Sequence, residues 1–453
     1  MRTDQSVPVR RLLSTVALPV LLAACQAQAI EVPTSTEEPS SSTTISSTIP
    51  STTSTSESEP VGWGADLLQL IEVRERLHPD PWHGIDREEY VVAVEDVISR
   101  IDELSDDQLL VEITRLAAMP TWAGRDGHGG IYPWGEGTFG TNMYPLRLYW
   151  FSDGLFVVDA LPPYQSLIGL RLEEINGHPI DDILAAVEPL VPRDNHMQIL
   201  THSPRLIVVA EILHGLGYID DPTVPIQMTF DQGGEPLSTE VATVPMARFE
   251  SEIGGHHTHS PPADPDGPLW LTDIATEAWW DLDTASRTAY VAYNVTTGAI
   301  EPLVGEVRRA IEDGGVDRLV VDLRHNPGGS NNLYDPLLRL VQDSALELPD
   351  GAYVAFGRAT FSAAGNLVTE IERDTEAVLI GEDSGTSPNQ YGDPIPIELD
   401  HSGLLFRVGR YLVQRSGPDD MRVTVEPDIE VLLSSTDYFS GIDPVWETIL
   451  DRR

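Results

Sequence analysis

The chain has 453 residues, with 72 acidic against 28 basic side chains and a formal net charge of -44, which argues against nucleic acid or an anionic membrane surface as a direct partner. All 28 basic residues are arginines, so any chemistry that needs a lysine is excluded. The length allows a substantial core and more than one subdomain, and the single cysteine, Cys25, can form no intramolecular disulfide.

In chain order, Arg10 and Arg11 precede an apolar run from Leu12 to Ala24, too short to span a bilayer comfortably and ending in small residues, which is the pattern of a secretory signal. Leu22-Ala-Ala-Cys25 resembles a bacterial lipobox, in which the cysteine becomes the lipidated N-terminus; an ordinary signal cleaved after Ala27-Gln-Ala29 is the competing reading. Residues 1–25 are therefore expected to be a lipoprotein-type signal with Cys25 the lipidation site. The protein is expected on the extracytoplasmic face, touching the membrane through a lipid anchor only. Residues 26–60 read as a disordered tether, because Ser, Thr, Pro and Glu from 33 onward offer too little apolar surface to offset the entropy of ordering.

Residues 61–140 read as a helical cap. Apolar residues recur at helical spacing through Leu67 to Val73, Tyr90 to Ile101 and Leu109 to Leu116. The pattern breaks at Arg125-Asp-Gly-His-Gly-Gly130, where glycines leave His128 on an irregular backbone able to project into a cleft. Residues 141–260 turn β-rich. Leu146–Trp150 and Leu155–Asp159 predict a hairpin around Ser152-Asp-Gly154, and Ile168–Gly177 with the following helix resembles one signature of a PDZ-like module, for which peptide capture and plain packing are both open roles. His256-His-Thr-His259 has no carboxylate or cysteine at a familiar ligand spacing and reads as a solvated loop rather than a metal site.

Residues 261–453 carry the chemistry. Thr288–Asn294 reads as the first strand of a core in which Arg318–Arg324, Ala352–Phe356 and Ala377–Gly381 alternate with helices. That alternation predicts an α/β domain with a mostly parallel sheet, whose ligands sit beyond the carboxyl ends of the strands. Two features fall at those ends: the loop His325-Asn-Pro-Gly-Gly-Ser330, and Ser362 at a helix start. A serine there has free backbone N–H groups and the positive end of the helix dipole beside it, and the Gly328-Gly329 pair lets a second N–H approach the same point, so a nucleophile and an oxyanion hole are predicted together. Leu405–Val413 predicts a further strand, and Gly441–Trp446 a final helix start.

The runs Val321-Asp-Leu-Arg-His-Asn-Pro-Gly-Gly-Ser330, Gly357-Arg-Ala-Thr-Phe-Ser-Ala-Ala364 and Ile380-Gly-Glu-Asp-Ser-Gly385 resemble the tail-specific (carboxy-terminal processing) serine peptidase family, and within it the branch containing the tricorn protease core and interphotoreceptor retinoid-binding protein. The resemblance covers roughly residues 65 to 450. It implies an α/β fold, α+β overall, with a ClpP/crotonase-like βαβ catalytic core, Ser362 as nucleophile, and an oxyanion hole from Ala363 and the Gly328-Gly329 loop. The family has a Ser-Lys and a Ser-His branch. With no lysine present, and with arginine always protonated, histidine is the remaining ordinary base. The position of the lysine in the other branch falls in Ser384-Gly-Thr-Ser387.

An Asp-x-His run in the Ser-His branch implies His128 as base, with His325 a rival and Asp420 the third member near the Pro-Asp strand Val425–Glu430. Asp126 is a local alternative to Asp420 if its loop folds back. The resemblance implies a protein or peptide substrate and neither metal nor organic cofactor. A binding protein that keeps the fold without turnover is the other reading it allows.

Overall fold

The computed structural model of the protein describes residues 62–133, 142–253 and 260–452. The expected signal, Cys25, the Ser/Thr/Pro-rich tether and the His256-His-Thr-His259 run lie outside the described residues.

A six-stranded sheet positions the chemistry, in the order Ala278–Asp283, Thr288–Tyr293, Arg318–Asp322, Ala352–Phe356, Val378–Gly381 and Ile429–Glu430. Its first pair is antiparallel and the later pairs are parallel. Parallel neighbours need crossovers, and helices Ile300–Glu312, Asp335–Glu347 and Ala363–Asp374 supply the first three. Strands Thr288–Tyr293, Arg318–Asp322 and Ala352–Phe356 are buried along their whole length, as befits parallel strands covered on both faces. Alternation along them splits the core. Val291, Leu319, Val321, Val354 and Phe356 pack under the crossover helices, and Tyr290, Val320, Tyr353 and Ala355 meet Val445 and Ile449 on the other face.

The helix that brings Val445 and Ile449, Pro444–Leu450, is capped by the Asp443 carboxylate, which accepts the N–H groups of Val445 and Trp446. Arg324, just past the end of its strand, grips the same carboxylate at 2.9 and 2.8 Å. The sheet has one strand more than expected before Thr288, since the acidic residues Asp281 and Asp283 mask the apolar pattern of Ala278–Asp283.

Towards the N-terminus, helices Trp63–Leu77, Arg87–Ser99 and Asp106–Ala118 form where the periodicity places them, the third closed by a capping box between Ser105 and Gln108. The antiparallel strands Leu146–Phe151, Gly154–Ala160, Arg171–Ile175, Ile226–Gln232 and Glu235–Val241 follow. Helices and strands share one core, in which Leu70, Val94 and Leu116 join Val157, Ile175 and Met228.

The segment between the last two strands of the six-stranded sheet reaches back to this part of the molecule. The expected strand 405–413 is broken at Gly409-Arg410 into Leu405–Val408, paired with Ile395–Glu398, and Tyr411–Gln414, paired with Asn389–Gly392. Leu405–Val408 also pairs with Gly130–Ile131, directly after the His128 loop.

Candidate active site

From the end of strand Ala352–Phe356, a short turn leads to helix Ala363–Asp374, with Ser362 at its N-cap. Ser362 has φ 54° and ψ -123°, a conformation that a residue with a side chain adopts only at a cost of about 1–3 kcal/mol. Thr360 fixes the turn, its hydroxyl donating to the Leu323 carbonyl at 2.8 Å and accepting the Gly357 N–H at 3.1 Å. Ser362 stays half-buried and reachable while the helix behind it is buried from Ala363 to Thr369.

His128 Nε2 lies 2.9 Å from Ser362 Oγ, across 234 residues of sequence. Its ring packs on Phe361 with centroids 4.4 Å apart. The loop is tied on several sides: the Tyr391 N–H donates to the Arg125 carbonyl at 2.7 Å, the Gly127 N–H donates to Asp194 Oδ1 at 2.6 Å, and Gly130–Ile131 pairs with Leu405–Val408. Burial pushes His128 down to about 4, against the Asp126 charge and the Tyr391 backbone, which both favour the protonated ring. The neutral imidazole is the form that can take a proton from Ser362.

Neither expected carboxylate bonds to that imidazole. Asp420 is held by Arg422 at 3.1, 3.2 and 2.9 Å, and these bonds keep its carboxyl below the ordinary range. A spacing of two residues makes a local ion pair there, and the assignment of Asp420 as third member is corrected accordingly. Asp126 is fully buried, with Arg74 Nη2 at 2.7 Å and His78 Nε2 at 3.4 Å from its Oδ2. Burial opposes its ionisation, yet Arg74 and His78 outweigh burial and the carboxyl lies below its usual value. It acts on His128 as a nearby charge, and with the Tyr391 backbone it favours the protonated ring. The rival base His325 is engaged elsewhere, stacked on Trp270 with Nε2 2.7 Å from the Trp270 carbonyl.

The oxyanion side differs from expectation at one residue. Ala363 opens the helix, and its N–H has no acceptor among the described residues. The Gly328 N–H, in contrast, donates to Asn326 Oδ1 at 2.9 Å, so it is not available to an oxyanion. What Gly328 contributes is the absence of a side chain, since a Cβ there would lie 2.6 Å from Ser362 Cβ and 3.0 Å from the Ala363 nitrogen. Of the expected loop donors, Gly329 remains the candidate. Its loop is pinned by the Thr296 N–H on the Gly328 carbonyl at 2.8 Å and the Ser330 N–H on the Thr296 carbonyl at 2.9 Å. In the segment where the other branch would place its lysine, Ser384 Oγ instead donates to the Thr386 carbonyl at 2.9 Å and accepts the Val425 N–H at 3.0 Å.

His78, His83 and Asp126 are close enough to hold a metal ion. Their protons argue otherwise. His78 Nδ1 accepts the Asp80 N–H at 3.1 Å, which leaves the ring proton on Nε2, facing the oxygen that Arg74 already holds. A guanidinium at that oxygen would repel a cation, and the trio fits a charge-neutralising network instead.

No family model matches the sequence, and no curated protein does. Solved structures do match. A mutant of CPAF superposes with a TM-score of 0.59 at 13% identity, covering 86% of this chain and 96% of that one. Mature CPAF complexed with lactacystin gives 0.57 at 14%, covering 86% and 97%. The photosystem II D1 C-terminal processing protease gives 0.42 at 11%, covering 86% and 97%. The chain has the α/β fold of CPAF, and the first two structures carry that assignment.

Proposed function

We propose that the protein is a secreted serine-type peptidase acting on protein or peptide substrates through Ser362 and His128. The observation that supports it best is the 2.9 Å contact between a strained, reachable serine and a buried neutral imidazole. Ser362 Oγ attacks the scissile carbonyl carbon while His128 Nε2 takes its proton; the tetrahedral oxyanion is held by the N–H groups of Ala363 and Gly329. His128 then gives the proton to the leaving amine, and water, deprotonated by the same imidazole, releases the acyl group. A fluorophosphonate probe should label Ser362 in the folded protein and leave Ser362→Ala unlabelled, and an unlabelled wild type would sink the proposal.

The buried imidazole sets an expectation for pH. His128 must be neutral to act, and because burial lowers it to about 4, the loss of rate caused by its own protonation should come as pH falls through about 4 rather than near neutrality. A limb of log(kcat/KM) against pH that follows His128 protonation in an NMR titration is the check, and a ring that titrates near 6.5 would contradict it.

Membrane attachment is proposed from the lipobox-like run alone. Cys25→Ser should move the protein from the membrane fraction to the soluble one and block lipid attachment, whereas a soluble wild-type protein beginning at Ile30 would rule the anchor out.

A further inference from the structure

Asp194 lies in no motif, yet it is fully buried between the two halves of the candidate site. Its Oδ1 accepts the Gly127 N–H at 2.6 Å, one residue before His128. Its Oδ2 accepts the Ser387 N–H at 2.9 Å and the Thr386 hydroxyl at 3.2 Å. Its carbonyl accepts the Arg125 N–H at 3.2 Å. Thr386 in turn rests on the nucleophile helix so closely that a Cβ on Gly365 would fall 1.7 Å from its methyl carbon. The neighbouring Asn195 reinforces the join, its Nδ2 donating to the carbonyls of Ser384 at 2.9 Å and Val423 at 2.7 Å.

We propose that Asp194 is a positioning residue, a carboxylate clamp that sets His128 against Ser362 by holding the base loop through Gly127 and the nucleophile helix through Thr386. The proposal rests on the peptidase reading for its catalytic consequence, and on these contacts for the clamp itself. A carboxylate accepts two backbone N–H groups and a hydroxyl at once more strongly than a carboxylic acid or an amide can, because hydrogen bonds to a charged acceptor are the stronger kind. The clamp is therefore tight while Asp194 is ionised and slack when it is protonated.

Burial pushes Asp194 up to about 7, against the Gly127 and Ser387 N–H groups and the Thr386 hydroxyl, with the Asp126 charge on the base loop acting in the same direction as burial. The other groups around it are Tyr132, beyond the base loop, on which Asp194 acts, and Gln198 on helix His196–Leu206, whose Oε1 accepts the Asp194 N–H. The segment Ser384-Gly-Thr-Ser387 brings no titratable side chain.

Activity should then show, above the His128 limb, a second and partial decline of about ten- to a hundredfold as pH falls through about 7, the scale of one weakened charge-assisted hydrogen bond. The test is log(kcat/KM) against pH on an unstructured protein for three full-length proteins. Wild type should show the inflection near 7. Thr386→Val, which keeps the methyl packing but removes a bond that favours the carboxylate, should move it to higher pH. Asp194→Asn should be slower at high pH and lack it. A purely structural role would lower the rate of Asp194→Asn equally at every pH, and an inflection that stays in place in both variants overturns the proposal.

If Asp194→Asn does not fold by circular dichroism, Thr386→Val decides alone. Should the wild type hydrolyse nothing, the peptidase reading falls separately, and the clamp is judged by hydrogen exchange corrected for intrinsic rates. The 124–130 segment must then lose protection in Thr386→Val, and in wild type as pH falls below about 7. Unchanged protection overturns the clamp.

Discussion

Ser362→Ala and His128→Ala should each lower hydrolysis of an unstructured protein by about three to six orders of magnitude, and the double variant should be hardly slower than either one. The reason is the shared proton. With the imidazole Nε2 2.9 Å from the hydroxyl, neither group has a task in the chemical step without the other. Folding should survive both changes. Alanine at 362 can keep the same backbone conformation, and removing His128 opens a gap beside Phe361 and Gly392 in a loop tied at Arg125, Gly127 and Gly130. Steady-state rates with thermal melts on the three variants provide the measurement. If wild type and both single variants hydrolyse at the same low rate, the fold serves as a binding protein, and the serine is a relic.

The second large effect is expected at Gly328, for steric rather than chemical reasons. Gly328→Ala should cut kcat by about a hundredfold or more while both nucleophile and base remain in place. Its new Cβ would meet Ser362 Cβ at 2.6 Å and the Ala363 nitrogen at 3.0 Å, so the serine and the Ala363 N–H must shift together. Gly328 also has φ 110°, which a Cβ makes costly by itself. The control is Gly169→Ala, at φ 90° with nothing within 4 Å of the added carbon. That variant shares the conformational cost, without the clash, and should lose stability alone. A folded Gly328→Ala that turns over at the wild-type rate would mean that the loop does not shape the oxyanion site.

The parts of this site that could be read from sequence are those whose reason is local. Ser362 was legible because a strand, a short turn and a helix start follow one another within a dozen residues, and His128 because glycines surround it. Local geometry also explains the misreading of Gly328: an Asn-Pro-Gly turn lets the asparagine side chain bond to the backbone two residues on, and Asn326 does so. Asp420 looked suitable by its distance from the Pro-Asp strand, but its near neighbour Arg422 claims it. Asp194 carried no signal, for its partners Gly127 and Thr386 lie far away on either side of it in sequence. The same applies to the shared core of the helical and β-rich parts, where Leu116 and Met228 join one cluster only through tertiary packing.

On the proposed peptidase reading, the pairing of Gly130–Ile131 with Leu405–Val408 sets when the candidate site can first be assembled. During synthesis the base emerges long before the nucleophile, and the hairpin that seats the base emerges last of the three. No amino-terminal fragment that ends before Ser362 holds both groups, and no carboxyl-terminal fragment that begins after Gly130 holds His128. Such late, distant pairing is slow to form, so on that reading a newly made chain passes through a stage in which Ser362 and His128 are not yet held together. Completion of the chain would then act as the safety catch of the proposed enzyme.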